Sequence, residues 1–177
     1  APVVESIASR LDVVISVDTS KPKIMEAAIS SGAHMINDVK ALSEPDALEV
    51  VAASKVNVCL MHMLGNPITM QTSPEYKSVN KDVKQFLLGR IEKCKQVGIF
   101  RERLIVDPGF GFGKTVGHNL ELLGNLREFT RLGCPLLVGL SRKSMIDKIL
   151  SRESAERLSA SLGLVAIALE RGANLIR

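Results

Sequence analysis

"QVGIFRERLIVDPGFGFGKT" spans residues 96–115 and contains one whole joint of the chain. A helical pattern closes at Gly98, a short apolar run follows, and the run meets Asp107 at its tip. Glycine just past the last helical residue is a common left-handed cap. The same joint recurs in "SSGAHMIND" (30–38), "RLGCPLLVG" (131–139) and "ERGANLIR" (170–177). The apolar runs along the chain are "VVISVDT" (13–19), "HMINDV" (34–39), "VNVCLMHM" (56–63), "RLIVDPG" (103–109), "PLLVGLS" (135–141) and "NLIR" (174–177). They are near-continuous rather than alternating, the pattern of strands covered on both faces and hence of a parallel sheet.

Helical patterns fill the gaps. The first starts at Ser20-Lys21-Pro22, where Ser20 can cap and Pro22 suits a first turn; it stops at Gly32. Over 78–97, Val79, Val83, Phe86, Leu87, Ile91, Cys94 and Val97 fall three and four apart on one face. Two more helices are predicted over 119–132 and 155–171, closed by Gly133 and Gly172. The result is a run of six strand–helix units without a linker or low-complexity segment. Their strand tips are Asp18, Asn37, His62, Asp107, Ser141 and Arg177, all polar. A doubly wound sheet gathers its ligand chiefly at one switch point, whereas a barrel places chemistry at the C-terminal ends of its strands. The expected fold is therefore α/β, a partial TIM (β/α)8 barrel with six parallel strand–helix units. A whole barrel typically takes about 250 residues. Residues 1–177 are expected to form a single, incomplete barrel domain, without two N-terminal strands and a last helix, and with two exposed sheet edges.

Composition narrows the function. The chain has 177 residues, 46% hydrophobic and 24% charged, enough apolar material for a sizeable core. The longest apolar stretch, 162–169, falls far short of the roughly 18 residues a membrane span needs, so no membrane partner is expected. "APVVESIASRLDVV" carries Glu5 and Arg10 and does not read as a signal peptide. Net charge is +4 in scattered islands, and aromatics make up only 3%, which argues against a nucleic-acid partner and suits a small anionic substrate. Cys59, Cys94 and Cys134 are odd in number and far apart, as expected for reduced, buried thiols of a cytoplasmic protein.

The strand tips are the candidate site. Asp18 can cap the next helix or meet a ligand. Asn37-Asp38 can form a turn or, through the Asn37 amide, read a heterocycle edge with a donor and an acceptor. His62 can be a satisfied core residue or a ligand contact; Met61 faces opposite and can floor an apolar pocket, with a turn at Gly65-Asn66-Pro67. Asp107 is the strongest candidate, because a carboxylate accepts two parallel hydrogen bonds from a planar donor pair. In "GLSRKS" (139–144), Arg142 and Lys143 either draw anions or carbonyl oxygens to a helix start or are solvated cations beside an ordinary cap. Gly109 to Thr115 reads G-x-x-x-G-K-T, one residue shorter than a nucleotide phosphate loop.

Together "ISVDTSKP", "INDV", "CLMHMLGNP", "DPGFGFGK", "GLSRKSMI" and "GANLIR" resemble the dihydropteroate synthase family in order and spacing, along essentially the whole chain. The resemblance implies a TIM barrel of the pterin-binding group. It also implies condensation of a dihydropterin-CH2-diphosphate with 4-aminobenzoate to dihydropteroate and diphosphate. It further implies Mg2+, sulfonamide inhibitors and a homodimer. Residue by residue, it makes Asp107 the carboxylate that grips the pterin amino and ring N–H groups, and Asn37 and Asp18 further pterin contacts. Met61 becomes a pocket wall, and Lys143 the lysine at the pterin carbonyl edge. Phe112 and Ser144 border the aminobenzoate, in a substrate-binding set with Gly139 and Arg142, and Arg177 stacks on the pterin and holds diphosphate. No metal ligand is implied within these residues, and the chain alone is expected to be inactive. Lys114 is expected to be a surface cation, with Lys143 the functional lysine. Alternatives are a reduced-folate methyltransferase domain, a non-catalytic pterin-binding paralogue and, on the glycine loop alone, a nucleotide hydrolase.

Overall fold

The computed structural model describes residues 2–66, 69–70, 72–150 and 158–177. It comprises two compact units, Ala1–Met61 with Leu87–Ile105, and His62–Phe86 with Val106–Arg177. The first unit holds α1 (Pro2–Ala8), β1 (Ser16–Asp18), α2 (Pro22–Ser30), β2 (Met35–Asp38), α3 (Ala47–Ala52) and β3 (Asn57–Met61). It also takes the later part of α4 (Val79–Gln96) and the start of β4 (Leu104–Asp107). β1 pairs with β2 and β2 with β3, all parallel, so that Asp18 lies opposite Asn37 and Asn37 opposite Cys59. This register lines up the polar tips and leaves Ile36, Val58, Cys59 and Leu60 fully buried.

Two local expectations are corrected here. The run at 13–19 is not covered on both faces: Val14 is 79% exposed and β1 stands first in the strand order, paired on one side only among the described residues. Nor does Ser20 cap α2. Lys21 takes the N-cap position without a side-chain bond, and the Ser20 hydroxyl donates to Asp38 Oδ1 at 2.5 Å. A buried carboxylate is the stronger acceptor, and Pro22 has already removed one of the helix-start N–H groups that a cap would serve. On α4 the predicted face is buried at Val79, Val83, Leu87, Ile91 and Cys94, whereas Val97 lies past the helix end and is exposed.

In the second unit come the beginning of α4, the end of β4, α5 (Val116–Gly124), α6 (Arg127–Thr130), β5 (Leu137–Val138), α7 (Ser144–Leu150), α8 (Leu158–Glu170) and β6 (Leu175–Ile176). β5 and β6 run parallel, and Val106 bridges Leu136 in the same sense. The single helix expected over 119–132 is two. α5 begins earlier, where Thr115 Oγ1 accepts the His118 N–H and His118 Nδ1 accepts the Thr115 N–H. This is a capping box with histidine in the usual Glu position. The helix stops at Asn125, yet Leu122, Leu126, Phe129 and Leu132 are all buried, so one apolar face runs on through the break. Burying such a side chain stabilises the fold by about 1.5–3 kcal/mol. The last predicted helix is observed over Leu158–Glu170; its residues 155–157, and Pro67 of the predicted turn, lie outside the described residues. All three cysteines are buried, as expected. No described helix is long and apolar enough to cross a membrane.

Candidate functional site

In the first unit the site is the paired ends of β1 and β2. Asn37 is 3% exposed, and its Nδ2 donates to Asp18 Oδ1 at 3.0 Å. Its Oδ1 is buried and has no hydrogen-bond partner among the described residues. An unsatisfied buried amide oxygen costs about 1–3 kcal/mol, so this atom suits an incoming donor. Asp38, next along the chain, is a different case. Its Oδ1 accepts from the Lys40 N–H and Ser20, and its Oδ2 from the Leu42 N–H at 2.8 Å. The Asn-Asp pair thus divides the two roles open in the sequence: Asp38 makes the turn and Asn37 presents its amide. The turn places Ala41 and Leu42 at φ 51° and 56°, in the left-handed region. Buried Arg90 holds it there, donating from Nε to the Ala41 carbonyl and from Nη2 to the Leu42 carbonyl, both at 2.6 Å. Met61, at the end of β3, is 3% exposed.

The second unit is organised around Asp107. Pro108 follows the carboxylate, and Gly109, at φ 72°, turns back so that its N–H reaches Asp107 Oδ1 at 2.7 Å. A Cβ at Gly109 would fall 1.8 Å from the His62 carbonyl oxygen, and one at Gly113 2.4 Å from that of Leu64. Only glycine lets this loop lie so close to residues 62–64. Asp107 is 6% exposed, and burial pushes its pKa up to about 6; the Gly109 N–H, then Lys143, Lys114 and Arg177, pull it back. Lys143 sits with its ammonium 4.3 Å from the Phe112 ring centroid, a cation–π distance. Its pKa is lowered by burial, partly countered by Asp107. Gly139, Ser141, Lys143 and Arg177 line a cleft of about 320 Å³. Arg142 is exposed with φ 53°, and Ser144 is an exposed first residue of α7.

Lys114 is not the surface cation expected from the sequence. It is 3% exposed, and its Nζ meets His62 Nδ1 at 3.0 Å, the Gly109 carbonyl at 2.9 Å and the Phe112 carbonyl at 3.0 Å. Turned inward onto its own loop, it does not take the phosphate-facing part that a nucleotide loop would give it. Burial lowers its pKa to about 7. His62, packed edge-on to Phe86 and pushed down to about 3 chiefly by burial, is neutral and accepts from Lys114. Asn119 fixes the loop from the other side, accepting the Gly111 N–H at 2.8 Å. Asn119 does not stand out in the sequence, and Lys114 reads there as a surface cation. The one available signal was a lysine closing a glycine-rich turn that also needs something to hold it shut. Among the described residues, no three His, Cys, Asp or Glu side chains converge on one place, so they form no cage for Mg2+. A Mg2+ ion that keeps its waters and rides on substrate phosphates needs none.

In the second unit, a buried carboxylate with acceptor capacity and a cation-lined cleft suit a donor-rich ligand bearing an anion; in the first unit, an amide with an open acceptor suits a donor. The family model for pterin binding enzymes matches residues 1–177. The chain belongs to the pterin-binding enzyme family. Among individual relatives, dihydropteroate synthase of Escherichia coli K12 is 52% identical over 99% of this chain and 62% of its own length. A crystal structure of Yersinia pestis dihydropteroate synthase with a sulfonamide drug aligns at TM-score 0.96 and 46% identity, over 99% of this chain and 64% of that one. A Xanthomonas albilineans dihydropteroate synthase in complex with 7,8-dihydropteroate aligns at TM-score 0.93 and 43% identity, over 99% and 66%. The chain thus spans a little under two thirds of the length of these relatives. Its α/β fold of parallel strands is the fold those synthases share over the aligned part, as the strand–helix rhythm predicts.

Proposed function

We propose that the protein carrying this chain is a dihydropteroate synthase, a transferase joining a dihydropterin-CH2-diphosphate to 4-aminobenzoate and releasing diphosphate. The observation that carries the reading is buried Asp107, ringed by Lys143, Lys114 and Arg177 and held by one backbone N–H. A phosphate would be repelled by that carboxylate, whereas a pterin edge offers it an amino group and a ring N–H. Asn37 is assigned to a pterin N–H through its open Oδ1, and Met61 to an apolar wall. Lys143 takes the pterin carbonyl edge. Gly139, Arg142 and Arg177 serve the diphosphate side, where a planar guanidinium can both stack and hold an anion. Phe112 and Ser144 border the aminobenzoate.

The chemistry follows from the leaving group. No nucleophile–base pair is needed, because diphosphate leaves with the electron pair of the C–O bond once cations neutralise it. The methylene carbon becomes electron-poor and the pterin ring shares its positive charge. Asp18 stabilises that cation electrostatically. The amine nitrogen of 4-aminobenzoate then forms the C–N bond and loses its proton. Mg2+, when bound, would supply positive charge to the diphosphate leaving group beside that of Arg142 and Arg177. Exposed Leu158, Leu162, Ile167 and Leu169 on α8 support a homodimer. Residues 1–177 are read as part of a single barrel domain of a cytoplasmic enzyme.

The test is direct. The full-length protein is incubated with the dihydropterin diphosphate and labelled 4-aminobenzoate, and dihydropteroate and diphosphate are measured. Equimolar formation of both, blocked by a sulfonamide, is expected. A protein that binds pterin but forms no product would instead be a non-catalytic relative. Methyl transfer from a reduced folate would place it among the methyltransferases.

A further inference from the structure

We propose that Lys114 is a positioning residue: its buried ammonium ties the Gly109 and Phe112 carbonyls to His62 and so sets where Asp107 and Phe112 meet the two substrates. This rests on the synthase reading above. The geometry is specific. An ammonium has three hydrogens, and three acceptors stand within 3.0 Å of Lys114 Nζ: His62 Nδ1, the Gly109 oxygen and the Phe112 oxygen. Two of these are backbone atoms of the loop that starts at Asp107 and carries Phe112. The third is fixed by the packing of His62 against Phe86 and Tyr76.

Packing alone does not account for a lysine here. Burial disfavours its charged form strongly, and a methionine of similar length would fill the space without that cost. What a methionine cannot do is hold two loop carbonyls or pull Asp107 toward its ionised form. Only an ionised carboxylate can accept both N–H groups of a pterin edge. The charged groups acting on Asp107 are Lys143, Lys114 and Arg177, and His62 and Tyr76 lie against the lysine's side. Lys143 and Arg177 remain in a Lys114 variant, so the change reports Lys114 itself.

The experiment compares the full-length wild type with Lys114→Met and Lys114→Arg. It measures dihydropterin affinity by calorimetry from pH 5 to 8, and kcat and KM for 4-aminobenzoate. In the wild type, pterin binding is expected to fall as pH drops through about 6, where Asp107 takes up a proton. In Lys114→Met that fall moves to higher pH by roughly one unit, weakening binding about fivefold at pH 6. KM for 4-aminobenzoate also rises more than kcat falls. Lys114→Arg restores the pH limb through its charge. A purely structural lysine would lower stability without moving the pH limb. An unmoved limb with an unchanged KM in Lys114→Met therefore overturns the proposal while wild-type turnover leaves the synthase reading standing. Absence of pterin binding and product in the wild type would instead remove the synthase reading itself. Should Lys114→Met not fold, Lys114→Gln keeps two amide donors without charge and carries the same pH test.

Discussion

Two of the loops that leave strand tips in this molecule are each held by one buried cation through two backbone carbonyls. In the first unit Arg90 grips Ala41 and Leu42, just after Asn37 and Asp38. In the second, Lys114 grips Gly109 and Phe112, just after Asp107. The clamps differ in kind. A guanidinium stays charged at any working pH and offers a rigid fork, and it stands beside Asp38, a carboxylate already satisfied by three donors. The lysine is held near neutral pH by burial, and it stands beside Asp107, which has one backbone donor and an elevated pKa. The first arrangement is a finished piece of architecture. The second leaves hydrogen-bonding capacity open, as a binding group must.

That contrast can be broken in four ways, from the largest expected effect down. On the proposed synthase reading, Asp18→Asn in the full-length protein should lower turnover by about 10²–10³-fold with pterin affinity largely kept, as for the loss of a preorganised electrostatic group. Near-wild-type turnover would return Asp18 to the structural side. Next comes the matched pair Asp107→Asn and Asp38→Asn. The first should cost roughly a hundredfold in pterin affinity, the two-bond loss at a charged acceptor, with the fold intact. Asp38→Asn should cost about 3 kcal/mol of unfolding free energy, because an amide turns a donor toward backbone N–H groups. If calorimetry and denaturation gave the same response for both, the two carboxylates would not differ in role. Arg90→Met leaves two buried carbonyls bare and should destabilise by about 2–3 kcal/mol in urea titrations; Arg90→Lys should recover only part, since a point charge cannot make the fork.

The smallest effect separates the clamps by pH. Lys114 binds its proton less readily in the folded protein, with a pKa of about 7 against the ordinary 10.5. Between those values the unfolded chain holds more protons, so stability contributed through Lys114 rises as pH increases across the window. The advantage of wild type over Lys114→Met should therefore grow by roughly 1 kcal/mol per pH unit between pH 7 and 9. Over the same range the gap between wild type and Arg90→Met should stay flat, since the guanidinium keeps its charge in both states. Parallel behaviour of the two variants would erase the distinction.

Much of this was legible from the residues alone. Near-continuous runs such as "HMINDV" and "RLIVDPG" pointed to parallel strands, which end at Asp38 and Asp107, because a strand covered on both faces has no room for alternation. Glycines at 98, 133 and 172 closed the helices before them, each at positive φ, because only glycine adopts that conformation without strain. The six motif blocks, in their order, carried the family resemblance. Helix breaks were less visible: Leu122, Leu126, Phe129 and Leu132 keep one face across Asn125, so periodicity cannot see the interruption.

What only the tertiary structure decided is where the cations point. "GK" after a glycine turn is compatible with a phosphate ligand, with solvent or with the loop's own carbonyls, and nothing local chooses among them. The choice is made by His62, 52 residues earlier in the chain, whose neutral ring offers an acceptor inside a space too dry for an unpartnered ammonium. Asn37 and Asp38 are likewise adjacent letters of similar chemistry. Asp38 is satisfied by two backbone N–H groups of its own turn and by Ser20 from the preceding strand–helix joint, whereas Asn37 keeps an open oxygen. Periodicity and caps are short-range effects that a sequence carries on its face. The fate of a buried polar group depends on which partners the fold brings within about 3 Å of it.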